Sequence, residues 1–265
     1  MGKNKNFNLH LIFLSLILSA FLLQNSLSQP VVGIDNWYNH ETNAKTGKPY
    51  HYLWSDTAWS GYSRWGKIFI DKGAVISHVI EAPTPTILDH FDIYIIVDPD
   101  TSSENPSPNY IKKGDAQAIE QWVKKGGVLV LLGNDAPNCE FTHLNLLAGR
   151  FGIQFNHVTL RQVINDQFEM GAFTRLPHHP IFRNVHKIFL KEISSLTLSK
   201  QAKAILIDDT NVIMAESKSG KGYVFAAGDP WIYNEYIDHD RLPAGFENRK
   251  AAENLTEFLL KKAKH

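Results

Sequence analysis

The residues best suited to chemistry are concentrated near the C-terminus, at positions 228–240, in the segment GDPWIYNEYIDHD. This segment combines aromatic rings with carboxylates and one side-chain amide. Aromatic faces stack on sugar rings and polar side chains hydrogen-bond to hydroxyls, so the composition favours carbohydrate binding. The segment follows an apolar stretch at 222–227, which is typical of a strand. Ligands of open α/β sheets bind beyond the carboxyl ends of such strands.

Three earlier segments have a similar character. Positions 35–63 are rich in Trp, Tyr and His, positions 98–109 in Pro, Ser and Asn, and positions 133–140 in Asn and Asp, with His143 just beyond. Each follows a predicted strand, so we expect all four segments to meet at one edge of a parallel sheet. Simpler interpretations remain open: Asp98 and Asp100 suit an Asx turn, and Asn134 or Asp135 suits a helix cap.

The elements that must position these segments alternate along the chain. Apolar stretches predict strands at 31–35, 74–79, 93–97, 128–132, 204–208, 212–216 and 222–227. Amphipathic stretches predict helices at 62–72, 86–90, 115–124, 142–150 and 248–262. This order predicts an α/β fold with a doubly wound, mainly parallel sheet flanked by helices. The pattern loosens between 155 and 197, where we expect an inserted β section.

Composition narrows the class of protein. The net charge of the 265 residues is zero, which argues against nucleic acid as a partner and against a basic membrane-binding face. Cys139 is the single cysteine, so an internal disulfide and a cysteine-based zinc site are excluded. The adjacent His178 and His179 point in opposite directions on an extended segment, and the tail carboxylates fit no known Ca²⁺ loop. We therefore predict neither a metal nor a cofactor.

The N-terminus has the features of an export signal. Lys3 and Lys5 precede an apolar stretch at 9–23, and Ser26 and Ser28 are small residues suited to a cleavage site. We predict a signal peptide at 1–28, a single domain at 29–265, and a periplasmic protein with no membrane association after cleavage. The alternative is a retained membrane anchor, for which the apolar stretch is short.

The order of elements resembles the class I glutamine amidotransferase-like fold, a flavodoxin-like arrangement that includes ThuA-like and DUF4350-type branches. The resemblance rests on residues 92–98, 118–132, 133–135, 179–181 and 228–231. Amidotransferases carry a cysteine on a Gly-flanked elbow directly after a strand. Cys139 instead lies seven residues beyond Leu132 in an Asn/Pro loop, so amidotransferase activity is not implied.

Residues 50–63 and 228–243 resemble, more narrowly, the ulvan-locus oligosaccharide dehydratases of marine Bacteroidetes. That resemblance implies a lyase that removes water from the non-reducing-end uronic acid of an ulvan-type oligosaccharide. The product would carry a 4,5-unsaturated uronyl group, which a partner unsaturated glucuronyl hydrolase could cleave. The competing interpretation is a non-catalytic carbohydrate-binding domain, which would use the same aromatic residues.

Such a dehydration is a β-elimination, which needs a base, an acid and groups that neutralise the uronate carboxylate. Histidine and tyrosine are the usual base and acid, and the predicted loops supply His40, His143 and Tyr233. Glu140 and Glu235 are second-choice bases, or residues that orient the first group. The predicted substrate-binding residues, two for stacking and the others for polar contacts, are Trp54, Trp231, Arg64, Asn134, Asp135 and Asn234.

Overall fold

The computed structural model describes residues 29–263, so the predicted signal peptide at 1–28 lies outside the described residues. Strands and helices alternate through the first half, as the hydrophobic periodicity predicts. They are β1 (Val31–Asp35), α1 (Ser63–Asp71), β2 (Val75–Val79), α2 (Pro85–Leu88), β3 (Ile93–Val97), α3 (Lys113–Lys125), β4 (Val128–Leu132) and α4 (Phe141–Ala148).

The second half contains shorter strands and closes on a long helix. Its elements are β5 (Ile153–Phe155), β6 (Ala172–Phe173), β7 (Ile188–Phe189), β8 (Leu196–Leu198), β9 (Lys203–Asp208), β10 (Asn211–Ser219), β11 (Gly222–Ala227), α5 (Asn234–Ile237) and α6 (Asn248–Ala263). The predicted inserted section holds the short strands β6 and β7, which form a separate antiparallel pair. Among residues 29–263, no helix combines the length and the apolar character that crossing a bilayer requires.

The main sheet has the order β2-β1-β3-β4-β11-β10-β8-β5, and β9 pairs with β10. The first five strands are parallel, and the strands beyond β11 run antiparallel to their neighbours. The predicted hairpin joins β10 to β11 through Gly220, whose φ of +59° is the left-handed conformation that favours glycine. The predicted α/β fold with a mainly parallel sheet is confirmed.

Both faces of the central strands are covered. All five residues of β3 are buried, with Ile93 and Ile95 in the core beneath α1 and α6, and Tyr94 and Ile96 in the core beneath α3 and α4. A strand covered on both faces reads as a continuous apolar run, which is why the sequence predicted β3 with its observed bounds. This two-sided core fixes the carboxyl ends of the strands as a rigid base for the loops.

The strand order places a switch point between β1 and β3. The chain leaves β1 toward β2 on one side and later returns to β3 on the other side. The connections after β1 and β3 therefore diverge, and in open α/β sheets this divergence creates the crevice in which ligands bind. Asp35 is the last residue of β1 and Asp98 directly follows β3, so both carboxyl groups lie at this crevice.

Candidate functional site

The four predicted loops meet at the carboxyl edge of the sheet. Asn39 Nδ2 donates to the carbonyl oxygen of Asp98 over 2.7 Å, which joins the loops after β1 and β3. Asn134 Nδ2 donates to Asp98 Oδ2 over 2.9 Å, which adds the loop after β4. The backbone N–H of Asn234 donates to Gly61 O over 2.8 Å, which adds the tail loop. The predicted convergence of the four loops is confirmed.

Asp98 lies at the centre of this arrangement. It is 5% exposed and has a φ of +44°, a left-handed conformation that is strained for a residue other than glycine. Its Oδ1 is buried and has no hydrogen-bond partner among residues 29–263. Burial raises the pKa of Asp98 well above its usual value, and the hydrogen bond from Asn134 and the nearby Tyr52 hydroxyl lower it only in part. When protonated, such a carboxyl group can donate a hydrogen bond.

Tyr52 lies near Asp98, and Tyr233 lies next to Tyr52. The Tyr52 ring lies 6.1 Å from the Tyr233 ring, centroid to centroid, in an edge-on arrangement. Burial raises the pKa of both hydroxyl groups well above 10, so both phenols remain protonated donors near neutral pH. The Tyr233 hydroxyl makes no hydrogen bond to another residue within 29–263, whereas Tyr62 anchors the tail loop by donating to Pro230 O over 2.5 Å.

His143 and Glu140 form an imidazole–carboxylate pair on the other side. Glu140 caps α4 by accepting a 2.8 Å hydrogen bond from the backbone N–H of His143, and the same oxygen lies 3.1 Å from His143 Nδ1. Tyr110 stacks on the imidazole with ring centroids 4.6 Å apart. Glu140 N donates to Pro99 O over 3.0 Å, so α4 begins next to Asp98. Nδ1 makes no hydrogen bond among residues 29–263, so the stacked Tyr110 ring rather than the carboxylate restricts the imidazole, and Nε2 is the nitrogen that could act as a base.

His40 is held differently from His143. Its Nδ1 lies 3.3 Å from Asp100 Oδ2, and its Nε2 lies 3.1 Å from Asn105 Nδ2. Both ring nitrogens therefore face protein groups, and neither is directed toward a ligand. The Asp100 carboxylate also accepts from Asn105 Nδ2 and from the backbone N–H of His40, and burial raises the pKa of Asp100. The geometry makes His40 a residue that positions the β3 loop rather than a base.

The tail loop is not the exposed aromatic platform that the sequence suggested. Trp231 is 1% exposed and Tyr236 is 3% exposed, and both belong to the core beneath α1 and α6. Trp54 is 6% exposed, and its indole N–H donates to Ser77 O over 3.1 Å. The predicted stacking roles of Trp54 and Trp231 are wrong, because core packing leaves no face of either ring free for a ligand.

The polar side chains that were predicted to bind substrate at the tail loop bond to other residues of the protein. Arg64 donates to Asp238 Oδ2 over 3.1 Å and also contacts Asp240, so its charge is already paired. The Asn234 side chain accepts from Arg64 N and donates to Ala58 O, at 3.0 and 2.8 Å. Asn234 is buried and its amide is bonded within the protein, so its predicted contact with substrate is wrong. The Arg64 side chain is 32% exposed, and its predicted contact stays a prediction.

Two further predicted residues are engaged in the same way. Glu235 pairs with Arg241 at 2.6 Å. Asp135 accepts from Asn138 Nδ2 and from Thr159 Oγ1, at 2.7 and 2.8 Å, and is 6% exposed. Asp135 therefore ties its own loop together, as its helix-capping residue type favours, and the predicted contact of Asp135 with substrate is wrong.

The exposed aromatic residue of the edge is Trp59, with 60% of its surface accessible. The guanidinium of Arg241 lies over this ring at 4.8 Å from its centroid, held there by Glu235 and Asp166 at 2.6 and 2.5 Å. The backbone N–H of Glu235 donates to Trp59 O over 2.9 Å. The arrangement covers one face of the indole, fixes its position and leaves the other face open for stacking.

Four of the predicted site residues lie at this edge, namely His143, Glu140, Tyr233 and Asn134, and the structure adds Asp98, Tyr52 and Trp59 as candidates. The signal for Asp98 was present, since an acidic residue directly follows a five-residue apolar strand. Two recesses of about 280 and 530 Å³ lie elsewhere, beside residues 161–209 and 176–184, and contain none of these groups. In the part of the chain from 29 to 263, no cluster of His, Cys, Asp and Glu is arranged to hold a metal ion.

No family model and no curated protein matches the chain. The N-terminal domain of mmIFT52 is similar in structure, with a TM-score of 0.64 at 15% identity, over 87% of this chain and 97% of that chain. The cytoplasmic protein STM1381 from Salmonella typhimurium LT2 has a TM-score of 0.57 at 14% identity, over 88% and 99%. A putative ThuA-like protein from Bacteroides uniformis ATCC 8492 has a TM-score of 0.43 at 13% identity, over 90% and 92%. The first two similarities identify a shared α/β fold and no activity.

Proposed function

We propose that the chain is a carbohydrate-active lyase that removes water from the non-reducing-end uronic acid of an ulvan-type oligosaccharide. The reaction would break the C5–H and C4–O bonds, form the C4=C5 double bond and release one water. The observation that carries the proposal is the buried carboxyl group of Asp98 at the switch point of the sheet, with Asn134 bound to Oδ2 and Oδ1 without a partner among residues 29–263. Such a group is costly to bury unless it has a partner.

Asp98 would interact with the carboxylate of the uronic acid. Removal of the C5 proton places negative charge on that carboxylate, and a neutral carboxylic acid stabilises it by donating a hydrogen bond. Since Asn134 occupies Oδ2, the free Oδ1 is the atom that would face the substrate. A buried carboxyl group is suited to this role because it need not lose a proton when the charge develops.

Tyr233 and His143 would supply the acid and the base. Tyr233 would protonate the departing 4-hydroxyl, since its raised pKa keeps the phenol protonated and its hydroxyl is not bonded to another described residue. His143 Nε2 would take the C5 proton, and the Glu140 carboxylate, 3.1 Å from Nδ1, would stabilise the positive charge that develops on the ring. Each proton would then return through solvent, which restores both residues.

Recognition of the sugar chain would involve Trp59. Its open face lies at the same edge as Tyr233, because Glu235 N binds Trp59 O and follows Tyr233 closely along the chain. The unsaturated product would pass to an unsaturated glucuronyl hydrolase. Export to the periplasm, by way of the signal at 1–28, belongs to the same proposal.

The proposal is tested with saturated oligosaccharides that end in a uronic acid. Formation of the conjugated C4=C5 bond would be followed by ultraviolet absorbance, and loss of one water by mass spectrometry. We expect both signals to rise together. Binding without either signal would overturn the lyase and support the carbohydrate-binding alternative, whereas the absence of both binding and turnover would reject a sugar site altogether.

Substitutions of Asp98 test its proposed role in turnover. Asp98→Asn keeps a hydrogen-bond donor and is expected to retain some activity, while Asp98→Ala removes the donor and should lower kcat by about 10²–10³-fold. Asp92→Asn is the matched control, since Asp92 caps the opposite end of the same strand by accepting from Val31 N over 2.7 Å. Equal activity of Asp98→Ala and the control would contradict the assigned role.

The alternative function, a non-catalytic carbohydrate-binding domain, is favoured by one observation. The most exposed aromatic ring of the edge, Trp59, needs no acid or base to bind a sugar. Tyr233→Phe and His143→Ala distinguish the two functions, because a binding domain would keep its affinity for oligosaccharide in both variants. A lyase would lose turnover by about 10²–10⁴-fold in each.

A further inference from the structure

Strand β2 forms one edge of the sheet and has an unpaired backbone side. Within residues 29–263 it pairs only with β1. Val75 N donates to Pro30 O, and Val79 O accepts from Asn36 N, so Val75 and Val79 direct their backbone groups toward β1. Alternate residues of a strand direct these groups to opposite sides, so the N–H and C=O groups of Ile76 and His78 face away from the sheet.

This edge lacks the features that normally keep edge strands from pairing. Its sequence, VISHV, contains no proline, lysine or acidic residue. Val75 is 44% exposed, and Ile80, just beyond the strand, is 64% exposed. A groove of about 430 Å³ runs beside the strand, lined by these two residues and by Ile87 and Phe91. An open backbone beside an apolar groove is the surface that accepts an added strand.

We propose that β2 pairs in antiparallel fashion with β2 of a second copy of the chain, about a two-fold axis at Ser77. In this register Ile76 of one copy lies opposite His78 of the other. The two-fold axis generates the equivalent pair, in which His78 of the first copy lies opposite Ile76 of the second. The outward N–H and C=O groups of these residues are then all paired. Val75 lies opposite Val79 of the other copy, which places the exposed side chain of Val75 beside the groove of that copy.

The charges at the strand ends favour a second copy over an unrelated segment. Lys72 ends α1, and Glu81 directly follows Ile80; both side chains are exposed. In the same register, Glu81 of one copy lies opposite Gly73 of the other, beside Lys72. The two-fold axis repeats this contact, so the edge is complementary to itself. Pairing through one short strand buries little area, and we expect a dimer with a dissociation constant on the order of micromolar.

Sedimentation equilibrium of the purified protein, from about 1 to a few hundred micromolar, tests the proposal. The wild type is expected to dimerise with rising concentration. Val75→Lys should raise the dissociation constant at least tenfold, because the interface would bury a charge. Val158→Lys is the matched control, since Val158 is 37% exposed and lies away from this edge. Circular dichroism melting checks that each variant is folded.

Charge reversal at Lys72 and Glu81 tests the proposed register of the two β2 strands. Glu81→Lys should weaken the dimer by placing like charges together, and the double change Lys72→Glu with Glu81→Lys should restore it. A wild type that stays monomeric at the highest concentration would overturn the proposal. So would a Val75→Lys protein that dimerises as well as the control, or a monomer that instead binds an extended peptide along β2.

Discussion

The side-chain amide of Asn134 donates a 2.9 Å hydrogen bond to Oδ2 of Asp98. The two residues follow neighbouring parallel strands, β4 and β3, so this bond ties two loops together at the switch-point edge. It also lowers the pKa of a carboxyl group whose burial raises it. Asn134 therefore influences both the stability of the edge and the proton affinity of Asp98.

Asn134→Ala is expected to raise the pKa of Asp98 further, because the donor that stabilises the charged form is removed. Oδ2 would lose its partner at a buried position, so the free energy of unfolding should fall by about 1–3 kcal/mol. Chemical denaturation measures the stability, and carbon NMR of the labelled carboxyl follows its titration. Asn138→Ala, at an exposed position, is the control and should have a smaller effect. An unchanged titration of Asp98 would contradict the assigned contact.

Stability should fall as pH rises toward neutrality. Burial raises the pKa of Asp229 from 3.8 to about 7, and that of Asp35 to about 6. The folded protein therefore keeps protons that the unfolded chain releases between about pH 4 and 7. The stabilisation is complete below pH 4 and is lost as pH rises through the folded pKa.

Asp229→Asn is expected to remove the part of this pH-dependent loss of unfolding free energy that Asp229 causes. That part amounts to roughly 4 kcal/mol at most between pH 4 and 8. Urea denaturation at a series of pH values measures the slope. Asp89→Asn changes an exposed carboxyl and serves as the control. If the unfolding free energy of Asp229→Asn falls with pH as steeply as that of the wild type, Asp229 does not hold an extra proton in the folded protein.

Replacement of Trp54 should affect mainly stability, whereas replacement of Trp59 should affect mainly the binding of oligosaccharide. Trp54→Ala would empty a buried site and is expected to cost about 3–5 kcal/mol of stability. Trp59→Ala removes an exposed ring and should change stability by less than about 0.5 kcal/mol. Its effect should instead be a roughly tenfold loss of affinity for oligosaccharide, measured by calorimetry. Wild-type affinity in Trp59→Ala would exclude this ring from the sugar site.

Cys139 should be inert toward thiol reagents in the folded protein. It is 3% exposed, and burial raises the pKa of its thiol well above 9, so the reactive thiolate is scarce. Labelling with a chromogenic disulfide is expected only after denaturation, and Cys139→Ala should keep the activity of the wild type. Rapid labelling of the native protein would mean that this thiol is more accessible than its packing indicates.

The central strands could be predicted from the sequence because their burial is a local property. In β3 and β4 every side chain is apolar, and the observed bounds, Ile93–Val97 and Val128–Leu132, are those of the predicted strands. The last helix was equally clear from its periodicity, and begins at Asn248 as predicted. In each of these elements, the residues that determine the structure are neighbours along the chain.

The burial of the tail loop depends on distant parts of the chain. Trp231 follows a strand, in a segment rich in carboxylates, which indicates exposure, yet it is buried in the core with residues of α1 and α6. The hydroxyl of Tyr62, 168 positions away, fixes the same loop through Pro230. Likewise, the environment of Asp98 is created by Asn39 and Asn134, from two other loops. Local patterns carry no information about which segment returns to cover a loop, so these features required the tertiary structure.

The position of β11 has a consequence for biosynthesis. This strand is among the last elements of the chain, yet it lies in the interior of the sheet, between β4 and β10. Until residues 222–227 have emerged from the ribosome, β4 has an open edge and the two halves of the sheet cannot join. The nascent chain therefore cannot complete this core by folding its first half alone, and the order of synthesis differs from the order in which the strands lie in the sheet.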